Sequence, residues 1–291
     1  MVSRSHAAES APLAWKVRRR LESQGLWAVR ESVESWPASH TAAVVCDMWD
    51  LHHCKNATDR VGELAPRMNT FLQALRRAGV LIIHAPSSCL KPYEGTPARR
   101  RAQEAPAAAN LPKDISEWCH KIPAEERGTY PIDQSDGGCD TPDAPQKEWA
   151  AQLKAQGRNP GSPWLRQIDL LEIKDEDAVS DSGIEIWNLT EARGIRNVLV
   201  MGVHTNMCVL GRPFGLRQMS KNGRQTVLVR DLTDTMYNPA MKPHVDHFTG
   251  TDLIVEHIEK FVCGSTTSAS LLGGKAFRFK ADPRPTSLTD A

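Results

Sequence analysis

A chain of 291 residues, 40% hydrophobic and 24% charged, has an ordinary globular composition, with enough apolar side chain for one large α/β domain carrying an insertion, or for two small ones. Its 36 basic and 35 acidic residues leave a formal net charge of +1, which excludes a global field that would gather nucleic acid or acidic lipid. No run approaches the ~18–20 apolar residues that span a bilayer, so a membrane partner is not expected.

The opening residues Met1–His6 lack an apolar core, so they do not form a signal peptide as written. A cytoplasmic protein is the expectation, with an exported one whose leader has been removed as the alternative. The seven cysteines are odd in number, widely spaced and without a CxxC pair, which argues against a disulfide scaffold or a zinc knuckle. The basic runs Arg18–Arg20 and Arg99–Arg101 are read as solvated faces.

Residues 1–40 are polar apart from scattered tryptophans and are read as an extension packed on the domain. The main domain is expected over 41–273. Its first strand is Ala42-Ala43-Val44-Val45-Cys46-Asp47, a short run of small and β-branched residues. Val61, Leu64, Met68, Phe71, Leu72 and Leu75 then recur at helical spacing, and Gly79 ends that helix. Val80–His84 is the second strand, giving a βαβ unit.

Over 85–167 the pattern dissolves into proline, glycine and charge. That stretch is read as an insertion with some helix, for example around 97–109. Ile168–Lys174 is expected as a strand, 182–193 as a helix closed by Gly194, and Asn197–Val203 as the clearest strand. The turn His204–Met207 leads into a helix expected from Cys208 to about Lys221. Thr226–Asp231 is the next strand, a helix carrying Leu253, Ile254, Ile258 and Phe261 the last, and 274–291 a polar tail. Alternating strand and helix implies a mainly parallel sheet covered on both faces, a three-layer α/β/α fold.

In such sheets ligands bind at the carboxyl ends of the strands. Asp47, His84, Lys174 and Cys208 are all placed there. Singly, each has a plain explanation: a buried small cysteine, a helix-capping aspartate, a solvated lysine. Together they describe a reactive rim. Cys208, opening a helix, would have its thiolate and the oxyanion of an attacked carbonyl stabilised by free N–H groups. Asp47 could serve as the base, and Lys174 could fix that carboxylate.

The segment Val200-Met201-Gly202-Val203-His204-Thr205-Asn206-Met207-Cys208-Val209 resembles the nucleophile segment of the isochorismatase-like cysteine hydrolases, among them nicotinamidases, N-carbamoylsarcosine amidases and ureidoacrylate amidohydrolases. Val44-Val45-Cys46-Asp47 is similar to that superfamily's first strand, and Lys174 with the residues after it to its lysine segment, although Val179 stands where an aromatic is usual.

The resemblance implies a Rossmann-like fold and a Cys208–Asp47–Lys174 triad. It also implies a cis Val203–His204 bond, an oxyanion hole made by the His204 and Cys208 N–H groups, and a homo-oligomer. The implied reaction is hydrolysis of a C–N bond in a small amide or carbamoyl compound through a thioester. Hydrolysis of another bond, or a ligand-binding scaffold without turnover, are the alternatives.

His84-Ala85-Pro86 replaces the Asp-x-His metal segment of nicotinamidases, so no metal or other cofactor is expected. Asp50, His52 and His84 could instead converge as ligands or simply line the pocket with Trp49. Arg212 could hold a substrate carboxylate or make a structural ion pair. Part of the insertion, within 118–139, is expected to wall the Cys208 pocket.

Overall fold

The computed structural model describes residues 11–284. Eight strands form one sheet. They are β1 (Leu13–Ser23), β2 (Leu26–Trp36), β3 (Thr41–Cys46), β4 (Leu81–Ala85), β5 (Ala178–Val179), β6 (Asn197–Val203), β7 (Gln225–Asp234) and β8 (Gly264–Thr266), in the order β2-β1-β8-β7-β6-β3-β4-β5. From β8 to β5 every pairing is parallel, while β1 and β2 join antiparallel at the β8 edge.

Side chains alternate across this sheet, as the period of two requires. Ala42, Val44 and Cys46 of β3, with Val198 and Val200 of β6, enter one core. Ala43 and Val45, with Leu199, Met201 and Val203, enter the other. Helix α1 (Lys55–Ala78) covers the second core with Leu64, Met68, Phe71 and Leu75, and ends at Gly79 in the left-handed region, φ 90°. The first core is covered by α2 (Pro97–Gln103), α4 (Gly183–Ala192), α5 (Leu216–Lys221) and α6 (His247–Phe261). Helix α3 (Asp143–Ala155) lies in the segment between β4 and β5, and α7 (Ala269–Leu272) follows β8. Among the described residues no helix is long and apolar enough to cross a membrane.

Four sequence expectations change. The polar extension is a long hairpin whose Trp15 and Trp36 pack with Phe71 in the core, so its charges mask a one-sided apolar pattern. Ile168–Lys174 is not a strand. The sheet takes up Ala178–Val179 instead, after a turn in which the Lys174 N–H donates to Asp177 (2.8 Å) and the Asp177 N–H to the Lys174 carbonyl (3.0 Å). The helix expected over 208–221 is broken into a π-turn at Thr205–Val209 and α5. Pro213 disfavours helical geometry at Arg212 and cannot donate a hydrogen bond. Part of the polar tail is anchored, with Phe277 and Phe279 packed on the second core.

The 86–177 segment is tied down by buried polar contacts. Glu125 accepts two bonds from Arg217 of α5 (2.8 and 2.7 Å), one from His257 of α6 (2.8 Å) and one from the Ile122 N–H (2.9 Å). Burial alone would raise its pKa, but His257 and Arg217 prevail and hold it at about 2, below the ordinary 4.5. The stability this depression contributes is therefore present above about pH 4.5 and is lost as pH falls toward 2. Arg217→Ala leaves a buried carboxylate without its cation and is expected to cost about 3–5 kcal/mol. The check is a lower urea midpoint at unchanged m, with the acid limb of stability flattened in Glu125→Gln.

Candidate active site

The strand order reverses between β3 and β6, and the crevice at their carboxyl ends is where such sheets place ligands. Gly202 lets the two strands meet there. Its φ is 108°, and a Cβ would run into the Cys46 carbonyl. Asp47 directly follows β3 and Cys208 lies five residues beyond β6, so the pairing of these two strands delivers both to one crevice.

Asp47 is fully buried. Its Oδ1 accepts from the Ser87 N–H at 2.8 Å and its Oδ2 from Arg212 Nε at 3.1 Å. Burial raises its pKa, and Arg212, Cys208 and Ser87 oppose that shift without cancelling it. The Cys208 thiol is also buried. Desolvation, then the Asp47 charge, push its pKa up, while Arg212 pulls it down. Burial thus raises both pKa values and favours the neutral thiol over the thiolate at Cys208. Against the expected thiolate at a helix N-terminus stands burial, which favours the thiol, and Cys208 lies within the π-turn Thr205–Val209 instead of opening a regular helix.

The cation on Asp47 is Arg212, not Lys174. Lys174 is half-exposed, its Nζ 2.9 Å from Glu172, and it precedes β5 instead of ending a strand. Arg212 follows Cys208 by four residues, and its N–H donates to the Cys208 carbonyl at 3.0 Å. Its guanidinium lies over the Trp118 ring, 5.2 Å from the centroid. Gly211 makes that approach possible, since a side chain there would occupy the space of the Trp118 indole.

Trp49 donates from Nε1 to the Ser87 carbonyl (3.1 Å) and stacks on Trp164 at 4.5 Å and 13°. His52 stacks beside both tryptophans and meets the His204 ring edge-on at 4.9 Å. Burial holds both histidines neutral near pH 7, with His204 pushed down to about 4. The two ring nitrogens of His204 are buried without a hydrogen-bond partner. The Val203–His204 peptide is cis.

His84 does not face this crevice. It is buried against Gln167 (3.0 Å) and Asp177 (3.2 Å). Asp50 is engaged by Arg158 and by the Leu51 and Leu165 N–H groups. The possible ligand set Asp50, His52 and His84 is thus dispersed, and among the described residues no cluster of three such side chains has metal-binding geometry.

Residues 118–134 wall a cavity of about 470 Å³ that abuts the nucleophile turn through Asn206 and Met207. Tyr130 Oη donates to the Asn206 carbonyl (3.1 Å), and Asn206 Nδ2 donates to Gln134 (2.7 Å). Trp118 and Trp164 were not singled out in the sequence as site residues. Nothing local to either marks it, since each is brought to the crevice by the path of the 86–177 segment.

With this geometry in place, solved structures offer a comparison. The fold is similar to that of isochorismatase-family cysteine hydrolases. A cysteine hydrolase from Pseudomonas syringae pv. phaseolicola 1448A shares 16% identity at a TM-score of 0.47, over 81% of this chain and 92% of that one. An isochorismatase from Pseudomonas putida KT2440 gives 15% and 0.45, over 80% and 91%. The N-carbamoylsarcosine amidase of Thermoplasma acidophilum gives 14% and 0.39, over 78% and 96%. No family model matches the chain, and no curated protein does.

Proposed function

We propose that the chain is a cysteine hydrolase of the isochorismatase-like superfamily that cleaves a C–N bond in a small amide or carbamoyl compound. Cys208 is the nucleophile, Asp47 the proton acceptor and Arg212 the fixed cation. The observation that carries this reading is the pair of buried Asp47 and partly buried Arg212 beside the Cys208 thiol at the point where the strand order reverses.

Asp47 takes the thiol proton as Cys208 Sγ attacks the carbonyl carbon. The buried, raised-pKa carboxylate suits that task, because a base whose conjugate acid is not too strong can return the proton. The oxyanion rests on the His204 and Cys208 N–H groups. Asp47 then protonates the departing nitrogen, and the C–N bond breaks to leave a thioester. Water attacks that thioester and yields a proton to Asp47, and as the C–S bond breaks Asp47 returns the proton to the Cys208 sulfur, leaving the acid and the free thiol. Trp49 and His52 contribute to the substrate side of the crevice, and Arg212 keeps Asp47 oriented throughout.

A panel of small amides and carbamoyl compounds, followed by ammonium release and intact-protein mass, tests this. The expected result is turnover with at least one compound and a transient acyl mass that maps to Cys208 after acid quench. Turnover with the acyl group on another residue, or with none on the protein under single-turnover conditions, would replace the nucleophile.

A further inference from the structure

Helix α1 begins at a pair of thiols that the Cys208 chemistry does not use. Cys54 caps the start of the helix and is sealed from solvent, and Cys139, partly exposed, arrives from the 86–177 segment. The two thiols are hydrogen-bonded to each other, and they share one small cluster with Ala57, Met236 and Met207. Both are free.

The backbone on either side holds them together. The residues after Cys139 lie along the first turn of α1. The Asn56 N–H donates to Thr141 Oγ1 (2.9 Å), Asn56 Nδ2 donates to the Asp140 carbonyl (3.1 Å), and Arg60 grips the Asp140 carboxylate with two bonds (2.8 and 3.0 Å). The Cys54 sulfur itself lies 3.2 Å from Thr141 Oγ1 and 3.7 Å from Asp140 Oδ1. Ahead of Cys139, Gly137 and Gly138 take positive φ, 84° and 76°, and a Cβ on Gly138 would strike the Met236 carbonyl. The glycine pair thus lets the chain press against Met236 and bring Cys139 to Cys54.

Burial ordinarily pushes a thiol up, as at Cys89, which reaches about 12. Cys54 moves the other way. The hydrogen bond from Cys139 pulls it below its ordinary 9.0, to about 6, with Thr141 and the Ala57 N–H adding to the effect and burial opposing it. The proton between the sulfurs belongs to the pair, and a pair that keeps a single proton near neutral pH is a nucleophile.

We propose that Cys54 and Cys139 are a modification site, a dithiol that a peroxide oxidises to a disulfide tying α1 to the 86–177 segment. Cys139 Sγ, the accessible sulfur, attacks a peroxide oxygen. The S–O bond forms, the O–O bond breaks, the bridging proton passes to Cys54, and hydroxide leaves. That hydroxide takes the Cys54 proton as water. The Cys54 thiolate then attacks the Cys139 sulfenic acid, the S–S bond forms, and a second hydroxide departs. The two sulfurs have lost two electrons and the peroxide has gained them. The bond lies against the crevice, since the Cys54 N–H donates to His52 Nδ1 (3.2 Å) and Met207, next to Cys208, packs on the same cluster.

The site is independent of what Cys208 does, and its test needs no substrate. Hydrogen peroxide in small excess, added to the full chain at neutral pH, is expected to remove two hydrogens from the intact mass. A non-reducing peptide map should join the Cys54 peptide to the Cys139 peptide, and dithiothreitol should reverse both changes. Cys208→Ala should behave like the unmodified chain, whereas Cys139→Ser, at a partly exposed position, should form no linkage at Cys54. Unfolding in urea should slow the linkage by about tenfold or more, because the fold then no longer holds the thiols together. Recovery of Cys54 and Cys139 as free thiols, after peroxide has oxidised other cysteines, overturns the inference. So does a disulfide between any other pair, or one that forms as fast in urea.

Discussion

Cys208→Ala is expected to lower kcat by about 10⁴-fold or more while melting temperature and far-ultraviolet circular dichroism stay at their wild-type values. The loss is this large because the thiol supplies the bond that divides the reaction into two steps. The fold should tolerate the change, since an alanine at this turn removes one sulfur and leaves the π-turn hydrogen bonds of the backbone intact, among them Met207 and Val209 N–H to the His204 carbonyl (3.0 and 3.1 Å). Binding of a slow substrate analogue, measured by calorimetry, should survive in Cys208→Ala. A variant that keeps more than a small fraction of the wild-type rate would remove Cys208 from the mechanism.

The second large effect separates the two basic residues that sequence and structure nominate. Arg212→Ala is expected to reduce kcat/KM by about 10²–10³-fold, the scale of losing one charged group that organises the reacting atoms. It should also move the acid limb of the pH profile to higher pH. Asp47 works as a base only when ionised. Burial already raises its pKa and Arg212 opposes that rise, so removing the guanidinium lets the pKa climb further and postpones activity to more alkaline solution. Arg212→Lys should recover part of the rate and part of the limb. Lys174→Ala should change neither, because Lys174 pairs with Glu172 in solvent. The inverse pattern, with Lys174→Ala crippling and Arg212→Ala mild, would restore the Asp–Lys arrangement that the resemblance implied.

The parallel core was legible in the sequence because burial on both faces leaves unmistakable apolar runs. Asn197–Val203 was found at its full length, and Gly79 closed α1 as expected. The hairpin at the start was hidden because only one face of it is buried, and only near one end. Lys16, Arg18 and Arg20 interrupt Trp15 and Val17, although Gln24 and Gly25, both at positive φ, mark the tight turn.

Asp47 and Cys208 were placed by the ends of strong strands. For Arg212 the sequence leaves a substrate anchor and a structural ion pair both open, since it shows that Arg212 follows Cys208 by four residues and not that its guanidinium reaches Asp47. Lys174 was misplaced with the strand expected to carry it. Trp118 and Trp164 depend on how a long irregular segment folds back, which no periodicity encodes.

The proton donor and its acceptor sit on opposite halves of the molecule. Asp47 closes the strand from which the chain goes on through β4 to β5, and Cys208 opens the half that goes on through β7 to β8. The ladder between β3 and β6, in which Cys46 is level with Gly202, sets their register, and Arg212 Nε on Asp47 (3.1 Å) ties the two sides at the crevice. A slip of one residue in that ladder would carry Asp47 along by about 3.3 Å and turn its side chain to the far face. Chemical competence in this protein is thus a measure of strand alignment: a chain with all its secondary structure and one misread rung would be folded by every spectroscopic standard and inert.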